Sequence, residues 1–138
     1  MEIEVNLLNQ AYHFEAKNEH GNAISIDASP AIVGENKGPR PMELLIMGLG
    51  GWSGIDVLSI LRKQKIEPAG FRIKLHADRE KDAIPSLFTD IVAEFIFKGP
   101  IDLSKAERAV QLSMEKYCSV AKTLEKTATI TYKVTIED

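Results

Sequence analysis

Cysteine is almost absent from this chain of 138 residues, in which Cys118 is the single thiol. One thiol excludes an intrachain disulfide, so the composition argues against a small disulfide-bonded secreted domain and favours a reducing cytoplasm. An excess of positive charge is also lacking, since the formal net charge is −3 and the sequence pI is about 5.7. We therefore expect no nucleic-acid partner held through phosphate contacts.

Signals of secretion, metal binding and membrane insertion are also missing. Met1 leads directly into a polar–apolar alternation instead of a signal peptide. The three histidines, His13, His20 and His76, share no ligand spacing, so we expect neither a metal ion nor another cofactor. The apolar stretch from 39 to 61 is long, but glycines and carboxylates interrupt it, which argues against a membrane span.

The order of secondary structure is clear from the periodicity. Apolar residues make up 44% of the chain and charged residues 27%, a balance typical of one globular domain over residues 1–138. Period-two alternation predicts three antiparallel strands within residues 1–28 and three later strands near 71–78, 88–97 and 128–136. A capping box at Ser104–Glu107 opens the second of two main helices. The order β-β-β-α-β-β-α-β predicts an α+β fold with a largely antiparallel sheet.

The segment from Gly38 to Lys65 predicts one long helix that begins near Pro41. Its middle is apolar on nearly every face, so we expect a central helix buried on all sides. Each interior glycine costs about 1 kcal/mol relative to alanine, unless another backbone must approach closely. Four glycines in this helix therefore predict a second helix crossing it, and the simplest source is the same helix of a twin subunit in an obligate homodimer. These glycines are Gly48, Gly50, Gly51 and Gly54.

Two motifs in the chain resemble those of the OsmC/Ohr superfamily, the osmotically inducible and organic hydroperoxide resistance proteins. They are GPRPMELLIMGLGGWSGIDV in the long helix and YCSVAKTLE before the terminal strand. The resemblance extends over essentially the whole chain and implies an intertwined cytoplasmic homodimer with two sites at the subunit interface. In active members a thiolate of the central helix attacks an organic hydroperoxide, and a second cysteine forms a disulfide with the resulting sulfenic acid. A dithiol then reduces that disulfide.

The catalytic residues of the family are mostly absent from the matching positions. Trp52 stands where the resemblance places the attacking cysteine, and Met42 stands where it places a glutamate, with Glu43 one position later. No arginine occurs from Met1 to Pro39, where the family supplies one. Cys118 alone corresponds to a catalytic group, the resolving cysteine.

The residues leave several roles open. Trp52 either fills space in the core or forms an apolar wall of a ligand pocket. Cys118 precedes a short helix whose positive end would lower the thiol pKa, which is the condition for a reactive cysteine; otherwise it is an ordinary half-buried cysteine. Glu43 is expected to interact with the helix terminus, and Asp56 to bond to neighbouring polar groups.

Three functions follow from these features. The first is a divergent family member without two-cysteine peroxidase activity, retaining an interface pocket near Trp52, Met42, Glu43 and Cys118 for a small apolar or thiol ligand. The second is a one-cysteine, thiol-dependent organic hydroperoxide reductase that uses Cys118 as its catalytic residue. The third is a noncatalytic dimeric scaffold.

Overall fold

The computed structural model describes residues 1–137, and it confirms the α+β class. The N-terminal strands are β1 (Ile3–Leu7), β2 (Phe14–Asn18) and β3 (Ala23–Ile26), followed by the helix α1 (Pro41–Lys63). The remaining elements are β4 (Gly70–Arg79), β5 (Phe88–Lys98), α2 (Leu103–Leu112), a π-helical segment (Ser113–Tyr117), α3 (Ser119–Leu124) and β6 (Thr129–Glu137). The chain forms two compact units, Met1–Leu45 and the residues from Ile46 onward.

The first unit contains a three-stranded sheet without an apolar core of its own. Its order is β1-β2-β3 with antiparallel pairing throughout, which confirms the meander predicted for residues 1–28. Large apolar side chains of β1 and β3, such as Val5 and Ile24, stay exposed. Among the described residues, every buried apolar side chain belongs to the second unit.

The second unit is built on a mixed sheet of order β4-β5-β6. β4 pairs antiparallel with β5, whereas β5 pairs parallel with β6. Parallel neighbours need a long crossover, and the chain between β5 and β6 supplies one through α2, the π-helical segment and α3. Among the described residues three of the four strand pairings are antiparallel, which confirms the largely antiparallel character, although the strands form two three-stranded sheets instead of one. The core of the second unit includes the fully buried Ile91, Phe95 and Phe97 of β5.

Within the described residues α1 is buried along one stripe only, so the predicted burial on all sides requires the second helix that was also predicted. The buried residues recur every fourth position, the spacing of one helical face: Leu49, Ser53, Val57 and Leu61. Large apolar side chains elsewhere on the helix are exposed, including Met47, Trp52 and Ile55. Length and apolar composition alone would let α1 span a membrane, but the core helices of water-soluble proteins share both properties.

The four glycines of α1 fall into two pairs with different surroundings. A Cβ at Gly50 would lie 3.0 Å from Leu75 Cδ1, and one at Gly54 would lie 3.3 Å from Ile73 Cδ1. This pair lets β4 pack against the helix, which corrects the expectation that a second helix crosses at these positions. A Cβ at Gly48 or Gly51 would meet no atom of residues 1–137 within 4 Å. The backbone at those two positions is open with respect to the described part of the chain.

α2 begins one residue before the predicted capping box. The N-cap is Asp102, whose carboxylate accepts from the backbone N–H groups of Ser104 and Lys105. Aspartate supplies the same capping interaction as serine, which is why the Ser104–Glu107 pattern placed the helix start slightly late. The buried stripe that follows includes Ala106, Val110 and Met114, whereas Leu103 and Tyr117 are exposed.

Candidate functional site

The residues predicted to line a pocket lie on two helices. Met42 and Glu43 are in the first turn of α1, and Trp52 lies in the middle of the same helix. Cys118 is the N-cap residue of α3. The four side chains differ in exposure and in hydrogen-bond partners, and these differences determine which chemistry is open to each.

The Glu43 carboxylate forms a hydrogen bond at the N-terminus of α1. Its Oε1 accepts from the backbone N–H of Arg40 across 2.8 Å, which satisfies one of the donors that a helix start leaves without a partner. The Arg40 guanidinium donates to the Gly38 carbonyl oxygen and to Asn36 Oδ1 across 2.8 and 3.0 Å. The expectation that Glu43 interacts with the helix terminus is confirmed.

Trp52 does not fill the core of its own chain. Its side chain is 40% exposed, whereas Leu49 and Ser53, its neighbours on the buried stripe of α1, are fully buried. Core filling within one subunit is therefore wrong for this tryptophan. The exposed indole offers an apolar face and one N–H donor.

Cys118 is fully buried, and its thiol is not the acidic group that the sequence suggested. Burial raises the pKa of the Cys118 thiol; the backbone N–H groups of Ala121 and Val120 lower it by less, and the charge of Asp56 raises it further. The N–H of Ala121 lies 3.4 Å from Sγ. The predicted lowering of the thiol pKa is wrong because desolvation outweighs the effect of the helix end.

A polar cluster joins α1 to the π-helical segment beside this thiol. The hydroxyl of Ser113 donates to Asp56 Oδ2 across 3.2 Å, and the backbone N–H of Cys118 donates to the Ser113 carbonyl oxygen across 2.8 Å. Ser53 is also buried, and its hydroxyl donates back to the Leu49 carbonyl oxygen across 2.7 Å. The expectation that Asp56 bonds to neighbouring polar groups is confirmed. Ser113 was not anticipated, because nothing in its local sequence marks it.

An open depression of roughly 490 Å³ lies along the C-terminal half of α1. Its walls combine charged and polar groups of α1 with apolar and aromatic groups of the facing segment. They are formed by Asp56, Ser59, Ile60, Lys63 and Gln64 on one side and by Leu112 and Tyr117 on the other.

Tyr132 of β6 is tied to the π-helical segment by its hydroxyl, which donates to the Glu115 carboxylate. Burial, the hydrogen bond to Glu115 and the carboxylate charge raise the pKa of Tyr132 to about 12. The phenol is therefore neutral at physiological pH and holds β6 against this segment. Residues 1–137 contain no group of three or more His, Cys, Asp or Glu side chains arranged to hold a metal ion.

Asp27 organises the loop that leads into α1, and sequence inspection missed it. Its carboxylate is 1% exposed and accepts from the backbone N–H groups of Ala28, Glu35 and Lys37 across 2.7, 3.3 and 3.1 Å. Burial acts to raise the pKa of Asp27, but the three backbone donors and the nearby His13 together hold it below the ordinary value. An aspartate directly after a strand and before a loop rich in glycine was the available signal.

Comparison with known proteins places the chain in a family. The OsmC-like protein family model matches residues 34–133. Protein YhfA of Escherichia coli strain K12 is 43% identical over 121 residues, which cover 86% of both chains. A hypothetical protein of Aquifex aeolicus has a crystal structure with a TM-score of 0.80 and 33% identity, covering 99% of this chain and 97% of the other.

A crystal structure of an organic hydroperoxide resistance protein from Legionella pneumophila shares the fold at 11% identity. Its TM-score is 0.74, and the match covers 97% of this chain and 95% of that one. The family model and the relatives above 30% identity establish the family directly. The chain belongs to the OsmC-like protein family.

The buried Asp27 carboxylate generates a prediction about acid. A carboxyl whose pKa is lowered by folding stabilises the folded chain above its unfolded pKa, and this contribution is lost as the pH falls through the folded pKa. We expect the amide resonances of Ala28, Glu35 and Lys37 to shift together on acidification, with a common midpoint below 3.8, the ordinary carboxyl value. A pH titration followed by amide NMR measures this.

Asp27→Asn removes the titrating group and is expected to abolish the joint shift and to speed hydrogen exchange of these amides near neutral pH. Asp90→Asn, at an exposed position on β5, is the matched control and should leave both unchanged. A midpoint at or above 3.8 in the unaltered protein would contradict the assignment.

Proposed function

We propose that this chain is an OsmC/Ohr-family protein that does not carry out the two-cysteine peroxidase cycle and instead binds a ligand beside Trp52. Membership of the family suggests a role linked to peroxides and oxidative stress. The observation that carries the proposal is the single cysteine of the chain combined with tryptophan at position 52. An indole cannot replace a thiol in sulfenic-acid chemistry.

The surroundings of Cys118 also disfavour the second hypothesis, a one-cysteine hydroperoxide reductase. A thiol attacks peroxides as the thiolate, which must be both populated and accessible. Cys118 is fully buried, and burial raises the pKa of its thiol. We retain this reductase as the alternative that the first experiment distinguishes.

We further propose that the working form is a cytoplasmic homodimer. The exposed apolar side chains of α1 and the open backbone at Gly48 and Gly51 support packing against a second copy of the helix. Burying the exposed part of one half-covered apolar side chain contributes roughly 1 kcal/mol, so several such residues favour association. The exposed apolar residues of β1 and β3 support the same conclusion. A dimer that binds nothing would be the scaffold of the third hypothesis.

Hydroperoxide turnover tests the loss of the peroxidase cycle. We expect the unaltered protein to consume an organic hydroperoxide no faster than a protein-free blank, with either dithiothreitol or a dihydrolipoyl reductant. We expect Cys118→Ser to behave identically, because the buried thiol takes no part. The measurement is the initial rate of hydroperoxide loss at neutral pH.

Trp52→Cys is the matched comparison, since it returns a second thiol to the chain without altering Cys118. After one equivalent of hydroperoxide, this variant is expected to lose both free thiols to a disulfide. A rate above the blank in the unaltered protein that disappears in Cys118→Ser would replace the proposal with the one-cysteine reductase.

Ligand binding at Trp52 is measurable by fluorescence, because this residue is the only tryptophan. We expect a short alkyl thiol or the matching alkanol to shift the emission to shorter wavelength with saturation, since an apolar ligand displaces water from the exposed indole. The same titration of N-acetyltryptophanamide is the control for quenching in solution. No saturable change up to about 1 mM would argue against a pocket and for the scaffold.

A further inference from the structure

The depression along the C-terminal half of α1 is separate from the position that the family uses for its attacking cysteine. Trp52 does not line it; the first α1 residue that does is Asp56, one helical turn later. All of its lining residues belong to the second compact unit, so the depression is complete within one chain. Nothing in the proposed peroxide-related role uses it.

Opposite charges mark the two ends of this depression. Asp56 and Lys63 lie on one face of α1, separated by seven positions, which corresponds to about 10 Å along the helix axis. The hydroxyl of Ser113 donates to Asp56 Oδ2 across 3.2 Å, which restricts the orientation of the carboxylate. The lysine side chain is long and adapts to a ligand by rotating.

The middle of the depression suits an apolar or aromatic group. Ile60 contributes from α1, and Leu112 and Tyr117 contribute from the facing segment. The exposed Tyr117 ring also lies 5.3 Å from the Lys116 ammonium, measured to its centroid. Ser59, between Asp56 and Lys63 in the sequence, adds a hydrogen-bonding group. Gln64, the residue after Lys63, adds another.

We propose that this depression binds small zwitterions of about dipeptide length that carry an apolar side chain. The ammonium group of the ligand pairs with Asp56, and its carboxylate pairs with Lys63. Two extended residues span about 7 Å, and the flexible Lys63 side chain adjusts the remaining distance to the ligand carboxylate. The apolar side chain of the ligand lies on Ile60 and Leu112. This site requires neither Trp52 nor a second copy of the chain.

Leucyl-leucine is the probe, and amide NMR of the full chain is the measurement. We expect saturable shifts of the Gln64, Leu112 and Tyr117 amides at millimolar concentration. N-acetyl-leucyl-leucine amide, in which both charges are removed, should bind at least about fivefold more weakly. Leucyl-leucine derivatives that are blocked at one end only should bind with an affinity between those of the free and the fully blocked dipeptide.

Two variants test the charged ends independently. Asp56→Asn keeps an acceptor for the Ser113 hydroxyl, and Lys63→Met keeps the length of the side chain, so both are expected to fold and to weaken binding about fivefold. Lys65→Met removes a charge just beyond α1 that does not line the depression, and it should bind as the unaltered protein does.

The proposal is overturned by the absence of saturable shifts at about 10 mM, by equal binding of the fully blocked dipeptide, or by unchanged binding in both Asp56→Asn and Lys63→Met. Shifts confined to the Trp52 indole would place the ligand elsewhere and would equally reject this site. None of these outcomes depends on hydroperoxide chemistry. The proposed function is therefore tested independently of this dipeptide site.

Discussion

The incomplete coverage of α1 is the constraint on which the rest of this structure depends. One stripe of the helix packs into the core of its own unit, and Gly50 and Gly54 bring β4 close enough to close that contact. The remaining apolar surface of the helix, including Trp52, faces outward. An apolar helix with one bare side is unfavourable in water, so the chain needs something to cover it.

The chemistry beside this helix follows from the same arrangement. Cys118 is fully buried, and burial and the charge of Asp56 both oppose the thiolate. Tryptophan at position 52 supplies bulk and an indole N–H where related proteins are expected to carry a nucleophile. These two features are the basis for proposing that the site binds a molecule instead of transforming one. Ser113 and Asp56 extend this polar environment toward the depression along α1.

Local patterns in the sequence predicted the local features of the fold. Period-two alternation located the strands, and the helix start near Pro41 with Glu43 in its first turn agrees with the observed terminus. Tertiary features were not predicted, because no short sequence pattern encodes them. The parallel pairing of β5 with β6 depends on where a crossover returns the chain, and the exposure of α1 depends on what packs against it.

The candidate site was only partly predictable from the sequence, again because tertiary contacts are not encoded in short patterns. The resemblance to the family marked Trp52 and Cys118, but the thiol pKa is governed by burial, which the helix-end argument did not include. Asp27 and Ser113 act through backbone and side-chain partners between 1 and 60 residues away in sequence. Their roles become visible only in three dimensions.

The mass in solution tests the central claim that a second copy covers α1. Light scattering across a dilution series should give twice the 15.3 kDa chain mass for the unaltered protein. Gly51→Leu should lower that mass or weaken the association, although replacing a helical glycine alone favours the helix by about 1 kcal/mol. A mass of 15.3 kDa for the unaltered protein at micromolar concentration would contradict the account, as would a Gly51→Leu variant that is more stable and equally associated.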